Sequence, residues 1–338
     1  MKIVFLGNFD APHSTENEWA YTYEDLGHEV IKFQEPRDTT DQVLEACMDA
    51  DIFHYTHTHG WDTPGSFDVG VLIDRIRNET KAVSIGVHLD YWYGLERQKD
   101  VGTHPWWRCD YIFTADGGSN EWYRSQGINH HYLKAGVVKR DCYIGNYRDE
   151  YACDVAFVGA YGYHPEYSYR PKLIDWLQDT YGERFRRYAG DTQYGTVRGS
   201  ALNDVYASVK VVVGDTLCLG FNHPEYFSDR LFETTGRGGF LIFPFIEGVQ
   251  NCFEIEGYSS KDAKEDKFFT GNKFVQKELE TYTFNDFSGL KDKIDYYIAH
   301  EDERKSIANA GFERTKRDHT YHNRVKEVFD ILKQDERI

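Results

Sequence analysis

A cation and a carboxylate stand three residues apart within the stretch His223–Gly239. At that spacing, Arg230 and Glu233 share one face of a helix. Ser228 or Asp229 suits the N-cap of this helix, whose first turn would present unpaired backbone N–H groups. A cation beside a helix start suits a phosphate, and a carboxylate one turn later suits a sugar diol. The pattern indicates a nucleotide-sugar pocket, and its alternative is a surface ion pair between the two side chains.

The elements around this stretch favour the pocket over the ion pair. Val209–Val213 and Phe240–Phe245 are short β-branched or aromatic runs bounded by glycine, which is typical of buried strands. The stretch between them therefore predicts a loop that leads into a helix. Glu225 lies upstream of the helix, and glycines follow at positions 236, 238 and 239.

Strand-like and helix-like patterns alternate along the whole chain and are interrupted near residues 136–153. This order predicts an α/β fold with two Rossmann-like doubly wound domains and an inter-domain cleft. We expect an N-terminal Rossmann-like domain over residues 1–145 and a C-terminal Rossmann-like domain over 146–318. A C-terminal helix over 319–338 is expected to pack back toward the first domain.

The composition narrows the class of protein. The chain has 338 residues, 40% of them hydrophobic, and a formal charge of −17, which weighs against a broad electrostatic grip on nucleic acid. No run reaches the roughly 20 apolar residues of a membrane helix. Six cysteines are scattered without a Cys-x-x-Cys spacing, so we expect reduced thiols and a cytoplasmic protein with no membrane span.

Two motifs around the predicted helix point to a family. Glu225 and Glu233 are separated by seven residues, as in the Glu-x7-Glu motif of retaining group-1 glycosyltransferases. Ser228–Glu233 followed by Gly238–Gly239 is similar to the Arg-x-Phe-Glu and glycine signature of spore-maturation (CgeB-like) enzymes. The chain thus resembles the GT-B glycosyltransferases, and in particular this group-1 and spore-maturation branch.

Two further segments carry the same resemblance. Phe157–Gly159, with Arg170 downstream, resembles the strand that opens the second domain of that branch and its phosphate-side basic residue. His319–Arg324 is similar to the branch's terminal His-Thr-Tyr-x-x-Arg segment. The resemblance covers most of the C-terminal half and, more loosely, the whole chain.

The family implies a donor site in the C-terminal domain. By this resemblance, Glu233 binds the ribose hydroxyls and Arg230 lies near the diphosphate. Glu225 lies near the donor sugar or its phosphate, while Gly159 and Arg170 line the same pocket. Fixed cations and helix N–H groups aimed at the leaving diphosphate would stabilise the charge that develops there. GT-B enzymes generally do this without a bound metal, so we expect neither a metal nor another cofactor.

The acceptor is expected in the N-terminal domain. Ile85–Trp92 follows a buried strand and is similar to the segment that carries an active-site histidine in group-1 enzymes. His88 or Asp90 is predicted to orient the acceptor hydroxyl or to act as a base, and the alternative is a structural loop histidine. The first loop carries Gly7 alone, a departure from the glycine-rich turn of many group-1 members.

Three histidines at positions 54, 57 and 59 raise the alternative of a metal site. Strand alternation puts residues 55, 57 and 59 on one face and His54 opposite. No carboxylate is evidently paired with them, so a rim of the acceptor site is the preferred interpretation. The Asp49–Asp51 pair falls at a predicted helix-to-strand junction and is interpreted as structural.

The sequence therefore predicts a glycosyltransferase that moves a sugar from a nucleotide-diphosphate sugar to an acceptor hydroxyl, with retention and without a metal. The acceptor is a polysaccharide, a protein or a modified DNA base. The alternatives are a non-catalytic sugar- or nucleotide-binding protein on the same scaffold and a sugar-nucleotide epimerase.

Overall fold

The structure of the chain is a computed structural model that describes residues 1–162, 169–215, 225–244, 246, 248–253, 268–270 and 287–338. Contacts within it divide the chain into two compact units. Residues 1–138 and 321–338 form the first unit, and residues 139–320 form the second. The C-terminal segment thus belongs to the unit in which the chain begins.

Eleven strands and ten helices lie within the described residues. The strands are β1 Lys2–Gly7, β2 Glu29–Gln34, β3 Ile52–Tyr55, β4 Val83–His88, β5 Tyr111–Thr114, β6 His130–Tyr132, β7 Cys153–Val158, β8 Phe185–Tyr188, β9 Val209–Val213, β10 Leu241–Pro244 and β11 Phe268–Thr270. The helices are α1 Thr15–Asp25, α2 Thr40–Cys47, α3 Val69–Glu79, α4 Asn120–Ser125, α5 Tyr169–Tyr181, α6 Ser200–Ser208, α7 Asp229–Gly236, α8 Ser288–Ala299, α9 Glu301–Asp318 and α10 Tyr321–Gln334.

The first unit is built on a parallel sheet with the strand order β2-β1-β3-β4-β5-β6. Apolar side chains cover both faces, as all-parallel sheets require. On one face, Tyr321, Val325 and Phe329 of α10 join the same core as Trp19 and Tyr23 of α1. Helix α10 is therefore an integral layer of this unit.

Side-chain caps fix where the first helices of this unit begin. The Ser14 hydroxyl accepts the backbone N–H of Asn17 at the start of α1. At α2, Thr39 and Gln42 form a reciprocal capping box. Each cap satisfies backbone donors that a helix start otherwise leaves unpaired.

The second unit is built on a sheet with the order β11-β10-β9-β7-β8. Strands β7 to β10 run parallel, and β11 pairs antiparallel with β10. Its core packs Leu177 of α5 and Leu290 of α8 against Phe157 and Val211 of the sheet. The strand order reverses between β7 and β9, as it does between β1 and β3 in the first unit. Ligands of doubly wound sheets bind outside the carboxyl ends of the strands at such a point.

The predicted fold class is confirmed, since both units are doubly wound α/β sheets. The interpretation of Asp49 and Asp51 as structural residues at a helix-to-strand junction is also supported. Asp51 accepts the backbone N–H of Lys2 at 2.8 Å, and Asp49 pairs with the Lys2 ammonium, so both carboxylates tie the end of α2 to the sheet. No helix in the described part of the chain has the length and apolar character needed to cross a membrane.

Candidate donor and acceptor sites

Arg230 lies over the carboxyl end of β7 in the second unit. Its Nε donates to the carbonyl of Val158 at 2.9 Å, and its guanidinium carbon lies 5.4 Å from the centre of the Phe157 ring. Gly159, with φ of +150°, comes next in the chain. A Cβ added at Gly159 would lie 2.4 Å from Nη2 of Arg230, so only glycine leaves room for this guanidinium. The structure thus brings two predicted residues together at the reversal point of the sheet.

A buried carboxylate that the sequence analysis missed links the two predicted arginines. Asp215 is 1% exposed and follows β9, directly across the reversal point from β7. Its Oδ2 accepts from Nε of Arg170 at 2.6 Å, and its Oδ1 lies 3.4 Å from Nη1 of Arg230. A signal was present in the sequence, because Gly214-Asp215 follows a run that reads as a buried strand.

The first turn of α7 faces the same carboxylate. Ser228 is the N-cap, as predicted, and its backbone is extended with φ of −67° and ψ of 154°. Its hydroxyl donates to the backbone carbonyl of Asp215 at 2.9 Å and makes no cap to the helix. The Ser228 hydroxyl is therefore not used to cap α7, and the backbone N–H groups of a helix start are the groups that bind an anion.

Glu233 lies one turn further along α7, where its carboxylate pairs with Arg237 and not with Arg230. Oε1 of Glu233 lies 3.7 Å from Nη2 of Arg237. Arg237 is 2% exposed and is held by Asp141 at 2.6 Å and by the side chain of Asn203. The alternative of a surface pair between Arg230 and Glu233 is therefore not what the structure shows.

Glu225 precedes the N-cap of α7 and adopts an uncommon backbone. Its φ is +63°, in the left-handed region that non-glycine residues rarely occupy. A Cβ added at Gly248 would lie 2.6 Å from Cγ of Glu225, so the loop around Gly248 packs directly on this side chain. His223 and Pro224, which open the stretch singled out in the sequence, lie outside the described residues.

The donor-side residues therefore combine two guanidinium groups with one carboxylate. Arg170 and Arg230 carry two positive charges against the single negative charge of Asp215. With the first turn of α7, this cluster can stabilise negative charge at the carboxyl ends of β7 and β9. A phosphate group is the ligand that such an arrangement suits best.

The predicted acceptor residues lie at the end of β4 in the first unit. Nδ1 of His88 is 3.8 Å from Oδ2 of Asp90, which is longer than a hydrogen bond. Asp90 pairs more closely with Arg97, at 3.2 Å. The indole of Trp92 lies edge-on to the His88 ring, with ring centres 5.3 Å apart. The structure therefore keeps the two side chains near one another without joining them as a hydrogen-bonded dyad.

A second missed carboxylate fixes the loop that follows these residues. Asp116 is fully buried, and burial raises the pKa of its carboxyl. Its Oδ1 accepts the backbone N–H groups of Trp92 and Tyr93 at 2.8 and 2.7 Å, and the Thr114 hydroxyl donates to Oδ2. The carboxylate thus sets the path of the chain immediately after Asp90.

His54 is a core residue. It is 0% exposed, its ring stacks on Phe5 at 3.9 Å, and its Nδ1 lies 3.0 Å from the Tyr23 hydroxyl. Burial lowers its pKa to about 3, so the imidazole is neutral at physiological pH. These contacts explain His54 without a ligand.

His57 does have a carboxylate partner, which corrects the sequence analysis. Its Nδ1 lies 2.9 Å from Oε1 of Glu35, a 1%-exposed residue that follows β2. The Tyr55 hydroxyl donates to the same oxygen at 2.9 Å, and the His104 ring stacks on His57 at 3.9 Å. The pairing was missed because Glu35 follows β2 and His57 follows β3, two strands that lie on either side of β1 in the sheet. Across the described residues, no three His, Cys, Asp or Glu side chains are arranged to hold a metal ion.

Comparison with known proteins identifies the sequence family of the donor-side unit. Residues 170–330, just under half of the chain, match the sequence model of the glycosyl transferase-like family. This segment contains Arg170, Arg230 and Glu233. The match is to the broad family, so the narrower resemblance to the spore-maturation branch stays a prediction. No curated protein matches this sequence significantly.

Solved structures share the fold over nearly the whole chain. An alpha-glucosyltransferase in complex with UDP-glucose and DNA containing an abasic site is 12% identical, covers 98% of this chain and 99% of its own, and has a TM-score of 0.63. An alpha-glucosyltransferase in complex with UDP and a 13-mer DNA containing an HMU base is 10% identical with the same coverage and a TM-score of 0.60. A glycosyltransferase from Rickettsia africae is 11% identical, covers 98% of each chain and has a TM-score of 0.57. Residues 170–330 thus match a glycosyl transferase-like sequence family, and nearly the whole chain shares the GT-B fold of these solved glycosyltransferases.

Proposed function

We propose that this glycosyltransferase transfers a sugar from a UDP-sugar to an acceptor hydroxyl. The observation that carries the proposal is the cluster of Arg170, Asp215 and Arg230 beside the start of α7. Two of the similar solved structures contain UDP or UDP-glucose, which supports uridine as the base. The donor is a substrate, and no separate cofactor is proposed.

In this proposal, Arg230 and Glu233 bind different parts of the donor. Arg230 and the backbone N–H groups of α7 bind the diphosphate, and Glu233 accepts hydrogen bonds from the ribose hydroxyls. Gly159 lets the diphosphate approach the backbone. Glu225, held in a left-handed conformation, is placed near the donor sugar. As the bond from the anomeric carbon to the phosphate oxygen breaks, negative charge grows on UDP and these cations stabilise it.

We further propose that transfer is retaining and needs no metal. The Glu-x7-Glu spacing of Glu225 and Glu233 supports retention. In that reaction the acceptor oxygen forms the new bond to the anomeric carbon while its proton passes to the departing phosphate. Cations at positions 170 and 230 supply the positive charge that a metal supplies elsewhere.

The acceptor hydroxyl is proposed to bind at the first unit near His88 and Asp90. Among a polysaccharide, a protein and a modified DNA base, the DNA base has specific support, because the two alpha-glucosyltransferases were solved with DNA. The net charge of −17 weighs against broad binding to the phosphate backbone. A hydroxymethylated base in a short duplex is therefore the first acceptor to test.

Isothermal titration with UDP, GDP, ADP and TDP tests the donor site on the full chain. We expect UDP to bind, and Glu233→Ala to abolish that binding while leaving the far-ultraviolet circular dichroism and the thermal midpoint of the free protein close to those of the wild type. Failure of all four nucleotides to bind the wild-type protein would contradict the proposal. Glu313→Ala, which removes an exposed glutamate from α9, is the matched control and should bind UDP normally.

Product analysis then separates a transferase from the two alternatives. Incubation with UDP-glucose and hydroxymethylated duplex DNA should give a glucosylated base in the α configuration. An epimerase would change the sugar nucleotide without any acceptor. A non-catalytic binding protein would bind UDP but release no UDP from the donor with any acceptor supplied.

A further inference from the structure

We propose that Asp215 is a positioning residue of the donor site, which orients the guanidinium of Arg230 toward the diphosphate. This inference rests on the donor site proposed above. Asp215 need not touch the ligand. Its role is to hold Arg230 at the reversal point of the sheet and to balance the charge of Arg170.

Burial separates the roles of the two arginines. The Arg170 side chain is 2% exposed and donates from Nε to Asp215 at 2.6 Å. The Arg230 side chain is 24% exposed and lies 3.4 Å from the other oxygen of the same carboxylate. Since Arg170 is shielded from solvent, it acts on Asp215, and Arg230 is the guanidinium that meets the ligand.

Three contacts fix the orientation of the Arg230 guanidinium. Nε is bound to the Val158 carbonyl at 2.9 Å, Nη1 faces Asp215, and Nη2 faces Gly159. The Asp215 backbone is itself fixed by the Ser228 hydroxyl at the N-cap of α7. The carboxylate therefore couples the orientation of Arg230 to the start of the helix, which is the other half of the anion site.

Positioning and simple charge counting predict opposite results when the Asp215 charge is removed. The cluster carries two positive charges and one negative charge, so neutralising Asp215 raises its net charge. If charge alone mattered, Asp215→Asn would bind a diphosphate more tightly. If orientation matters, the same variant binds it less tightly, because Arg230 no longer meets the phosphate at the required angle.

The test is titration of UDP and inorganic pyrophosphate into the wild type, Asp215→Asn, Arg230→Ala and the double variant. We expect Asp215→Asn to weaken UDP binding by about tenfold to a hundredfold, the scale of one charged hydrogen bond. The double variant should bind no more weakly than Arg230→Ala, since a positioning residue acts only through the group that it positions. Unchanged or tighter UDP binding by Asp215→Asn, or additive losses in the double variant, would overturn the inference.

Asp215→Asn leaves the Arg170 guanidinium buried beside a neutral side chain, so this variant could fail to fold. A second variant keeps the test decisive in that case. Arg170→Met combined with Asp215→Leu replaces the buried pair by apolar groups, a change that often preserves stability. It should fold and show the same weakened binding of UDP, and wild-type affinity in this variant would contradict the inference. Asp154→Asn is the control, because Asp154 pairs with Lys210 at the opposite end of β7 and its loss should leave UDP affinity unchanged.

The pyrophosphate titration separates this inference from the proposed function. If the wild type bound no nucleotide, the assignment of a UDP-sugar donor would fail. The role of Asp215 would then be decided by pyrophosphate alone, where weaker binding by Asp215→Asn supports it. Equal binding by the two proteins, or no binding by either, overturns it.

Discussion

Nη2 of Arg237 lies 3.7 Å from Oε1 of Glu233, one helical turn earlier on α7. Arg237 is buried and anchored by Asp141, so the glutamate proposed to bind ribose faces a fixed positive charge. The two oxygens of a glutamate side chain can accept hydrogen bonds from a diol. The stability of the unit and the geometry of the proposed donor site are thus both expected to depend on Arg237.

Arg237→Gln is therefore expected to destabilise the protein strongly. The change leaves Asp141 without its buried cation, and breaking such a pair costs about 3–5 kcal/mol where burial is complete. Because the Asp141 side chain is 14% exposed, we expect a loss toward the lower end of that range. Urea denaturation measures it. Arg148→Gln breaks an exposed pair with Asp204 and should change stability by no more than about 1 kcal/mol. Equal losses of unfolding free energy in the two variants would contradict the structural role of Arg237.

Gly159→Ala is expected to weaken UDP binding. The new Cβ would lie 2.4 Å from Nη2 of Arg230, so the guanidinium must move, and the φ of +150° adds backbone strain. Titration with UDP measures the effect, which should approach that of Arg230→Ala. Gly162→Ala is a control in the following loop, because a Cβ there meets no atom of the described residues within 4 Å. Normal UDP affinity in Gly159→Ala would show that Arg230 does not need this space.

Asp116→Ala is expected to loosen the loop after β4. The change removes the carboxylate that accepts the backbone N–H groups of Trp92 and Tyr93, and each buried donor left unpaired costs about 1–3 kcal/mol. Hydrogen exchange of these two amides, read by mass spectrometry, should become faster, and acceptor KM should rise more than donor KM. Unchanged exchange in the peptide that contains residues 91–93 would contradict this role.

Acid is expected to destabilise the first unit through its buried histidines. Burial lowers the pKa of His54 and of His130 to about 3 and that of His104 to about 4. The unfolded chain takes up a proton near pH 6.5 and the folded chain does not, so stability is complete above that pH and is lost as the pH falls toward 3. Between pH 7 and 5 a fully buried histidine contributes a loss of about 2 kcal/mol.

Urea denaturation at pH 7 and pH 5 measures this loss. His54→Gln should be less stable than the wild type at pH 7, since its ring contacts are gone, but should lose less on going to pH 5. His13→Gln removes an exposed histidine and should leave the wild-type pH dependence intact. The same pH dependence of stability in His54→Gln and the wild type would contradict the assignment of part of this loss to His54.

The sequence was sufficient for most of the fold, because buried parallel strands are continuous apolar runs. Val209–Val213 was predicted at the bounds that the structure gives. Strand β6 was missed, since His130–Tyr132 is short and polar, and α6 was missed because its face is spread over small and polar residues. Such elements are stabilised by contacts with neighbouring elements, so their own sequences carry no periodic pattern that predicts them.

The candidate site was predictable only where its residues are close in the chain. Arg230 and Glu233 follow from helical spacing, and the partnership of Glu233 with Arg237 was visible as an i,i+4 pair. Asp215 and Arg170 are 45 residues apart, and Glu35 and His57 are 22 apart. The folded sheets and the helices packed on them bring these residues together, and spacing along the sequence does not report such contacts. The contacts that hold the candidate ligand-binding side chains in place were thus the ones that could not be predicted from the sequence.

The return of α10 to the first unit has a consequence for synthesis of the chain. Residues 139–320 are continuous and can fold as they leave the ribosome. The first unit lacks one face of its core until Tyr321–Gln334 has emerged, since Val325, Val328 and Phe329 cover the side chains of α1. The first unit is therefore completed after the second, and a message cut short before residue 321 is expected to yield the second unit attached to an incomplete first unit.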